Sequence, residues 1–240
     1  MAESTKHLPV VILAGGLATR LRPITEQIPK ILIDVAGRPF AEYQITLLKK
    51  HDLTDIVLCV GYLGQQVQNV LGDGTRWGVR LRYVFDGPTL LGTGGSIRQA
   101  LGLLGGAFFI LYGDSYLDCD YLAIETAFKE SRKLGLMTAF HNKNQWDRSN
   151  ILLREGHIIH YDKHHPTPDM EHIDYGLGIL KASALNSYPD DQPFDLSTVY
   201  QDLVERGQMV GYEVTKRFYE IGSLTGLEET RQYLSHKSPL

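Results

Sequence analysis

The chain contains only two cysteines in 240 residues, Cys59 and Cys119. They make no C-x-x-C pair, which argues against a disulfide framework and a thiolate-ligated zinc. No apolar run reaches the about 18 residues that a membrane-spanning helix needs. The first nine residues lack the apolar core of a signal peptide. The cytoplasm is therefore the expected location, with no membrane partner. Basic residues are not in excess: the formal net charge is −4, which argues against a nucleic-acid surface. Linkers, low-complexity blocks and short repeats are lacking too. With 43% hydrophobic residues the chain can bury a large core, and a single domain over 1–240 is expected.

What is present is an alternation of strand and helix patterns. Residues 10–14 form a continuous apolar run suited to a strand buried on both faces, and 40–51 carry apolar residues at helical spacing. Further strands are predicted at 55–60, 80–85 and 107–111, separated by helices at 63–71 and 94–104. This order predicts an α/β fold with a doubly wound, mostly parallel sheet. After a helix at 121–133, strands at 136–141, 150–154, 157–161 and 173–180 follow without intervening helices. They predict a mixed or antiparallel extension. A helix at 196–206, strands at 209–213 and 218–221, and a helix at 225–234 close the chain.

The first strand runs into Gly15-Gly16-Leu17-Ala18-Thr19-Arg20-Leu21-Arg22-Pro23, with Pro29-Lys30 downstream. Small residues let backbone N–H groups approach an anion, and two arginines and a lysine add positive charge. A dinucleotide fingerprint needs a helix straight after its glycines, with an acid about 20 residues on. Asp34 has that distance, but Pro23 and Pro29 forbid a long helix there. No Lys-Ser or Lys-Thr follows the glycines, so the Walker pattern fails as well. The segment reads as a phosphate-handling loop.

Gly15-Gly16, Thr19-Arg20-Leu21, Pro23, Thr25, Pro29-Lys30 and Val35-Ala36-Gly37-Arg38-Pro39 resemble the signature of the sugar-1-phosphate nucleotidyltransferases. That signature runs close to G-G-x-G-T-R-L-x-P-x-T, then P-K and V-x-G-[KR]-P. The resemblance implies a Rossmann-like, GT-A-like fold. It also implies a nucleotide-binding half at about 8–115 and a sugar-phosphate-binding half at about 116–240; the hexapeptide repeats of the C-terminal β-helix found in some relatives are missing, so none is expected. Ala18 departs from the family's glycine. If the position requires a positive φ, alanine is disfavoured there.

The same resemblance assigns the site. Leu13, Ala14, Gly15, Gly16, Thr19 and Arg20 would meet the nucleotide, with Gly92 and Thr93 of the Leu91-Gly92-Thr93-Gly94-Gly95-Ser96 segment at the nucleoside. Gly113-Asp114 follows a strand, and ligands of open α/β sheets gather beyond the carboxyl ends of strands. Asp114 is the leading ligand for Mg²⁺, an ion that takes one or two carboxylates plus phosphate oxygens. Phe218-Tyr219-Glu220-Ile221-Gly222-Ser223 resembles the family's W/F-x-D-x-G-T, making Glu220 the second metal candidate. An ion pair with Lys216 or Arg217 is the structural alternative. Tyr161-Asp162-Lys163 resembles the E-K-P segment, so Lys163 would hold the sugar phosphate and Asp162 its hydroxyls. Gly113, Asp174 and Gly176 complete that pocket, and Arg20, Lys30 and Lys163 are the catalytic candidates.

Histidines 157, 160, 164, 165 and 172 invite a zinc reading. On a strand, however, His157 and His160 point to opposite faces. A sugar phosphate, ionised at neutral pH, also attacks without an imidazole base, because positioning and charge neutralisation carry phosphoryl-type transfer. The expected reaction joins a nucleoside triphosphate and a sugar 1-phosphate into an NDP-sugar and pyrophosphate. The Gly94-Gly95 pair, the Val60-Gly61-Tyr62 segment and the single-domain length resemble heptose- or mannose-1-phosphate guanylyltransferases. Uridylyl-, thymidylyl- and phosphocholine cytidylyltransferases of the same fold stay open, as do a non-catalytic nucleotide-sugar-binding module and a homo-oligomeric assembly.

Overall fold

The computed structural model describes residues 7–190 and 192–237. In chain order, the first half holds β1 (Val10–Ala14), the hairpin β2 (Asp34–Val35) and β3 (Arg38–Pro39), α1 (Phe40–Lys50), β4 (Asp55–Val60), α2 (Gly64–Leu71), β5 (Arg80–Phe85), α3 (Gly92–Leu104) and β6 (Ala107–Tyr112). The second half holds β7 (Ser115–Tyr116), α4 (Tyr121–Ser131), β8 (Gly135–His141), β9 (Ile151–Arg154), β10 (His157–Tyr161) and β11 (His172–Lys181). It ends with α5 (Leu196–Glu205), β12 (Met209–Val214), β13 (Tyr219–Glu220) and α6 (Leu224–Ser235).

Strands β5, β4, β1 and β6 lie side by side and parallel. Antiparallel β11 follows, pairing β6 on one edge and β8 on the other, and β12 closes the series parallel to β8. The β9–β10 hairpin extends from β11. This is a Rossmann-like α/β sheet, mixed and mostly parallel, with the antiparallel pairings in the second half. Period-two alternation explains why the central strands read as unbroken apolar runs. Val10 and Ile12 of β1 join a core with α1, α2 and α4 on one face, while Val11 joins a second core with α3 and α5 on the other. No helix among the described residues is long and apolar enough to cross a membrane.

One agreement with the sequence reading and one departure from it bear on the site. The chain after β1 makes three single 3-10 turns, Thr19–Leu21, Ile24–Glu26 and Lys30–Leu32, within the stretch that the prolines bar from a long helix. Helix α3, predicted from residue 94, instead begins at Gly92, so Gly92 and Thr93 lie in its first turn and not in a free loop. Its first turn is capped from far along the chain, Gly94 N and Gly95 N donating to the Phe194 carbonyl at 3.0 and 3.4 Å, while Asp86, just after β5, braces its start. Asp86 Oδ2 accepts from Leu91 N at 3.2 Å, and Asp86 Oδ1 accepts from Ser96 Oγ at 2.6 Å. A carboxylate at a helix N-terminus satisfies otherwise unpaired N–H groups and suits the helix dipole.

A third, smaller core joins the two chain ends. Leu227 and Leu234 of α6 pack with Leu21, Ile33, Val35 and Phe40, so the C-terminal helix buttresses the loop that follows the glycines. Next to it, β13 pairs with β7, setting Glu220 opposite Ser115.

Candidate active site

Ala18 adopts φ 47° and ψ 45°. Left-handed geometry costs a residue with a Cβ about 1–2 kcal/mol. The loop tolerates it because the Ala18 carbonyl accepts from Thr25 Oγ1 at 2.8 Å and from Leu21 N at 3.1 Å. Ala18→Gly relieves the strain but gives the unfolded chain more freedom. A net gain of about 0.5–1 kcal/mol is expected in urea unfolding, and an unchanged midpoint would contradict the strain.

Asp114 sits just beyond the carboxyl end of β6. Lys30 Nζ donates to its Oδ2 at 2.6 Å across 84 positions of sequence. The β7–β13 pairing places Glu220 close by, with Ile221 N donating to the Asp114 carbonyl at 2.9 Å. Glu220 turns back on its own loop, accepting from Gly222 N and, at 2.9 Å, from Ser223 Oγ. Gly222 shows how tightly these groups converge. A Cβ there would lie 3.2 Å from Arg20 Nη2 and 3.3 Å from Asp114 Oδ2, and would press on Glu220 Oε2. Two carboxylates and a guanidinium thus face one spot kept open by a missing methyl group. Hard carboxylate oxygens in this number suit a magnesium-type divalent cation completed by phosphate oxygens and water, so the donor set fits that group.

Lys163 Nζ lies 3.5 Å from Asp195 Oδ2, and Asp195 also caps α5 by accepting from Ser197 N at 2.8 Å. Asp162 Oδ1 accepts from His164 N at 2.7 Å and His165 N at 2.8 Å. These N–H groups hold its carboxyl below the usual carboxylate range and fix the turn that presents Lys163. Asp174 behaves oppositely. Burial pushes its carboxyl up to about 6, opposed by the Gly176 N–H and the Lys163 charge.

Two cavities, of about 300 and 360 Å³, meet at Tyr112 and Asp114, which line both. The first gathers Leu13, Ala14, Gly15 and Gly16 from the β1 end, with Lys30, Gly92, Thr93, Gly113 and Lys163. The second takes Arg20, Asp174, Gly176 and Glu220. Thr19 and Asp162 are not among the lining residues of either cavity. Thr93 also has a structural use, since its Oγ1 accepts from Leu196 N at 2.8 Å at the start of α5.

Two lining groups, Asp86 and Trp146, escaped the sequence reading. Asp86 lines the first cavity directly after β5, where the strand-end rule that picked out Asp114 would have found it. Trp146, Arg217 and Tyr175 line the second. The Arg217 guanidinium lies 3.4 Å from the Trp146 ring centroid and pairs with Glu229. The Tyr175 hydroxyl is buried without a hydrogen-bond partner among the described residues. No linear pattern marks Trp146.

Residues 9–149 match the protein family described as Nucleotidyl transferase. The chain is 41% identical over 117 residues to N-acetylmuramate alpha-1-phosphate uridylyltransferase of Neisseria meningitidis, covering 48% of this chain and 51% of that protein. It is 30% identical over 196 residues to D-glycero-alpha-D-manno-heptose 1-phosphate guanylyltransferase of Campylobacter jejuni, covering 81% and 86%. The solved structure of HddC from Yersinia pseudotuberculosis superposes with a TM-score of 0.77 at 24% identity, covering 95% of this chain and all of that one. The match spans 51%, 56% and 61% of the length of three curated relatives, that uridylyltransferase among them. The family match covers more than half of the sequence and includes the glycine loop, Lys30 and Asp114: the chain belongs to the nucleotidyl transferase family.

Proposed function

We propose that the chain transfers a nucleotidyl group from a nucleoside triphosphate to a sugar 1-phosphate, releasing pyrophosphate, with a guanine nucleotide as preferred donor and a heptose or mannose phosphate as acceptor. The carrying observation is the pair of cavities that share Asp114, one walled by the glycine loop and one by polar side chains. In this reading the base and ribose enter the first cavity, and the triphosphate runs along Gly15 and Gly16 towards Lys30 and Arg20. Lys163 holds the sugar phosphate. An oxygen of that phosphate attacks the α-phosphorus, the bond to the bridging oxygen breaks, and pyrophosphate leaves with the electron pair. No proton must be removed, so the cationic side chains orient both anions and offset the charge of the leaving group. Asp114 and Glu220 would hold a divalent cation, which supplies further neutralisation of phosphate charge when bound.

Asp86 supports the guanine donor. Its buried carboxylate lines the first cavity, between Gly15 and Gly61. A carboxylate accepts hydrogen bonds and cannot donate them, so it suits the N1–H and N2–H₂ edge of guanine. The N3–H of uracil is flanked by two carbonyl oxygens, which the same charge repels. Uridine is the second reading, favoured by the 41% identity to the N-acetylmuramate phosphate uridylyltransferase.

Pyrophosphate release from GTP, UTP, dTTP and CTP, each paired with mannose, heptose and N-acetylmuramate 1-phosphates and with phosphocholine, separates these readings. GTP with a heptose or mannose phosphate is expected to give the highest kcat/KM. A higher value with UTP overturns the guanine assignment, and no release from any pair overturns the enzyme reading.

A further inference from the structure

We propose that His141, His172 and Glu213 form a metal site for a zinc-class ion, separate from the carboxylates at Asp114 and Glu220. Three strands build it. Antiparallel pairing of β11 with β8 sets His172 directly opposite His141. Parallel pairing of β12 with β8 sets Glu213 beside Ala139, which shares the face of His141 two residues away. The imidazoles stack with centroids 4.8 Å apart and planes 19° from parallel. One nitrogen from each histidine and one Glu213 oxygen all lie within 4.8 Å of one another.

Stacked rings point their in-plane lone pairs side by side, so coordination requires the exposed His141 ring to turn towards His172 and Glu213. His172 Nε2 is 3.4 Å from Glu213 Oε1, and its ring is largely buried, so the sheet fixes its direction. His141 Nε2 also contacts Glu171 Oε2 at 3.2 Å, outside the three-residue group. Zinc draws its donors to about 2.0–2.2 Å. The Glu213 side chain is 52% exposed and free to rotate inward. Two imidazoles with carboxylates favour zinc and its transition-metal neighbours, whereas magnesium prefers oxygen alone. The ion binds neutral imidazole nitrogens, and any proton they carry passes to solvent.

The position matters for the cavity nearby. His141 ends β8 just before the segment that carries Gln145, Trp146 and Asp147 into the wall of the second cavity, and Ile173 and Asp174 follow His172. An ion here would cross-link the ends of β8, β11 and β12 at the rim of that wall. Sequence spacing hid the site because its two histidines become neighbours only through strand pairing.

The test uses the full chain, free of any affinity tag and stripped by a chelator, with Co²⁺ as the optical probe. One equivalent of Co²⁺ is expected to give a ligand-field absorption band, displaced by Zn²⁺ and not by Mg²⁺. His141→Ala, His172→Ala and the exposed Glu213→Gln are each expected to weaken Co²⁺ affinity about tenfold or more. Zn²⁺ is expected to raise the Tm of the unmodified chain but not that of His141→Ala. His157→Ala, on the β9–β10 hairpin, is expected to bind like the unmodified chain. Loss of the band in Asp114→Asn, or a band that survives both histidine substitutions and Glu213→Gln, overturns the site, as does the lack of any band.

Discussion

Asp114→Asn is expected to lower kcat by about 100- to 1,000-fold, the usual range for removing one preorganised electrostatic group from a reacting site. Asparagine keeps the shape and one acceptor oxygen, so packing between β6 and β7 survives. What disappears is charge. Lys30, 2.6 Å from Asp114 Oδ2, loses its ionic partner, and the convergence with Glu220 falls from two carboxylates to one. Steady-state pyrophosphate release at saturating substrates and divalent cation checks the effect. Asp120→Asn is the matched control. It makes the same charge change where Asp120 caps α4 by accepting from Ala123 N at 3.0 Å. Asn is itself a good cap residue, so little stability and no kcat should be lost. Near-normal kcat in Asp114→Asn would remove Asp114 from the reacting centre.

These expectations rest on features that differ in how visible they were. The β1 and β4 runs were legible because both faces of each strand are covered by helices, leaving no polar alternation to confuse the period. Asp114 was legible through its place after an apolar strand. The consequence of Ala18 was legible too, because glycine is the residue that a positive φ favours, and the observed φ is 47°. The start of α3 was not. Leu91 at its N-cap has no capping side chain, and the Gly94 and Gly95 N–H groups are taken by the Phe194 carbonyl far along the chain, so local cap rules placed the helix two residues late. Trp146 over Arg217, and His141 beside His172, unite positions far apart in sequence. Such contacts follow from sheet order and loop packing, and neither leaves a spacing to read.

Gly222→Ala is expected to lower kcat by about 100-fold or more, the scale of an ångström-sized misplacement of reacting groups. The cause is occupancy of space and not backbone strain, since Gly222 does not need the left-handed region. The added methyl would press on Glu220 Oε2 and fill the spot that Arg20 Nη2 and Asp114 Oδ2 face at 3.2 and 3.3 Å. Glu220 must then swing away and lose its hydrogen bonds from Gly222 N and Ser223 Oγ. Crowding a packed site costs about 1–3 kcal/mol of stability, so kcat is to be compared at a temperature where circular dichroism shows the variant folded. Gly102→Ala in α3, where a Cβ meets nothing within 4 Å, is expected to leave kcat unchanged. The decisive measurement is a double-mutant cycle with Glu220→Asp. Aspartate is one methylene shorter and withdraws its oxygens from the added methyl. Gly222→Ala should therefore cost less kcat beside Asp at 220 than beside Glu. Equal losses on both backgrounds would mean that the methyl acts through Arg20 or Asp114 and not through the Glu220 carboxylate.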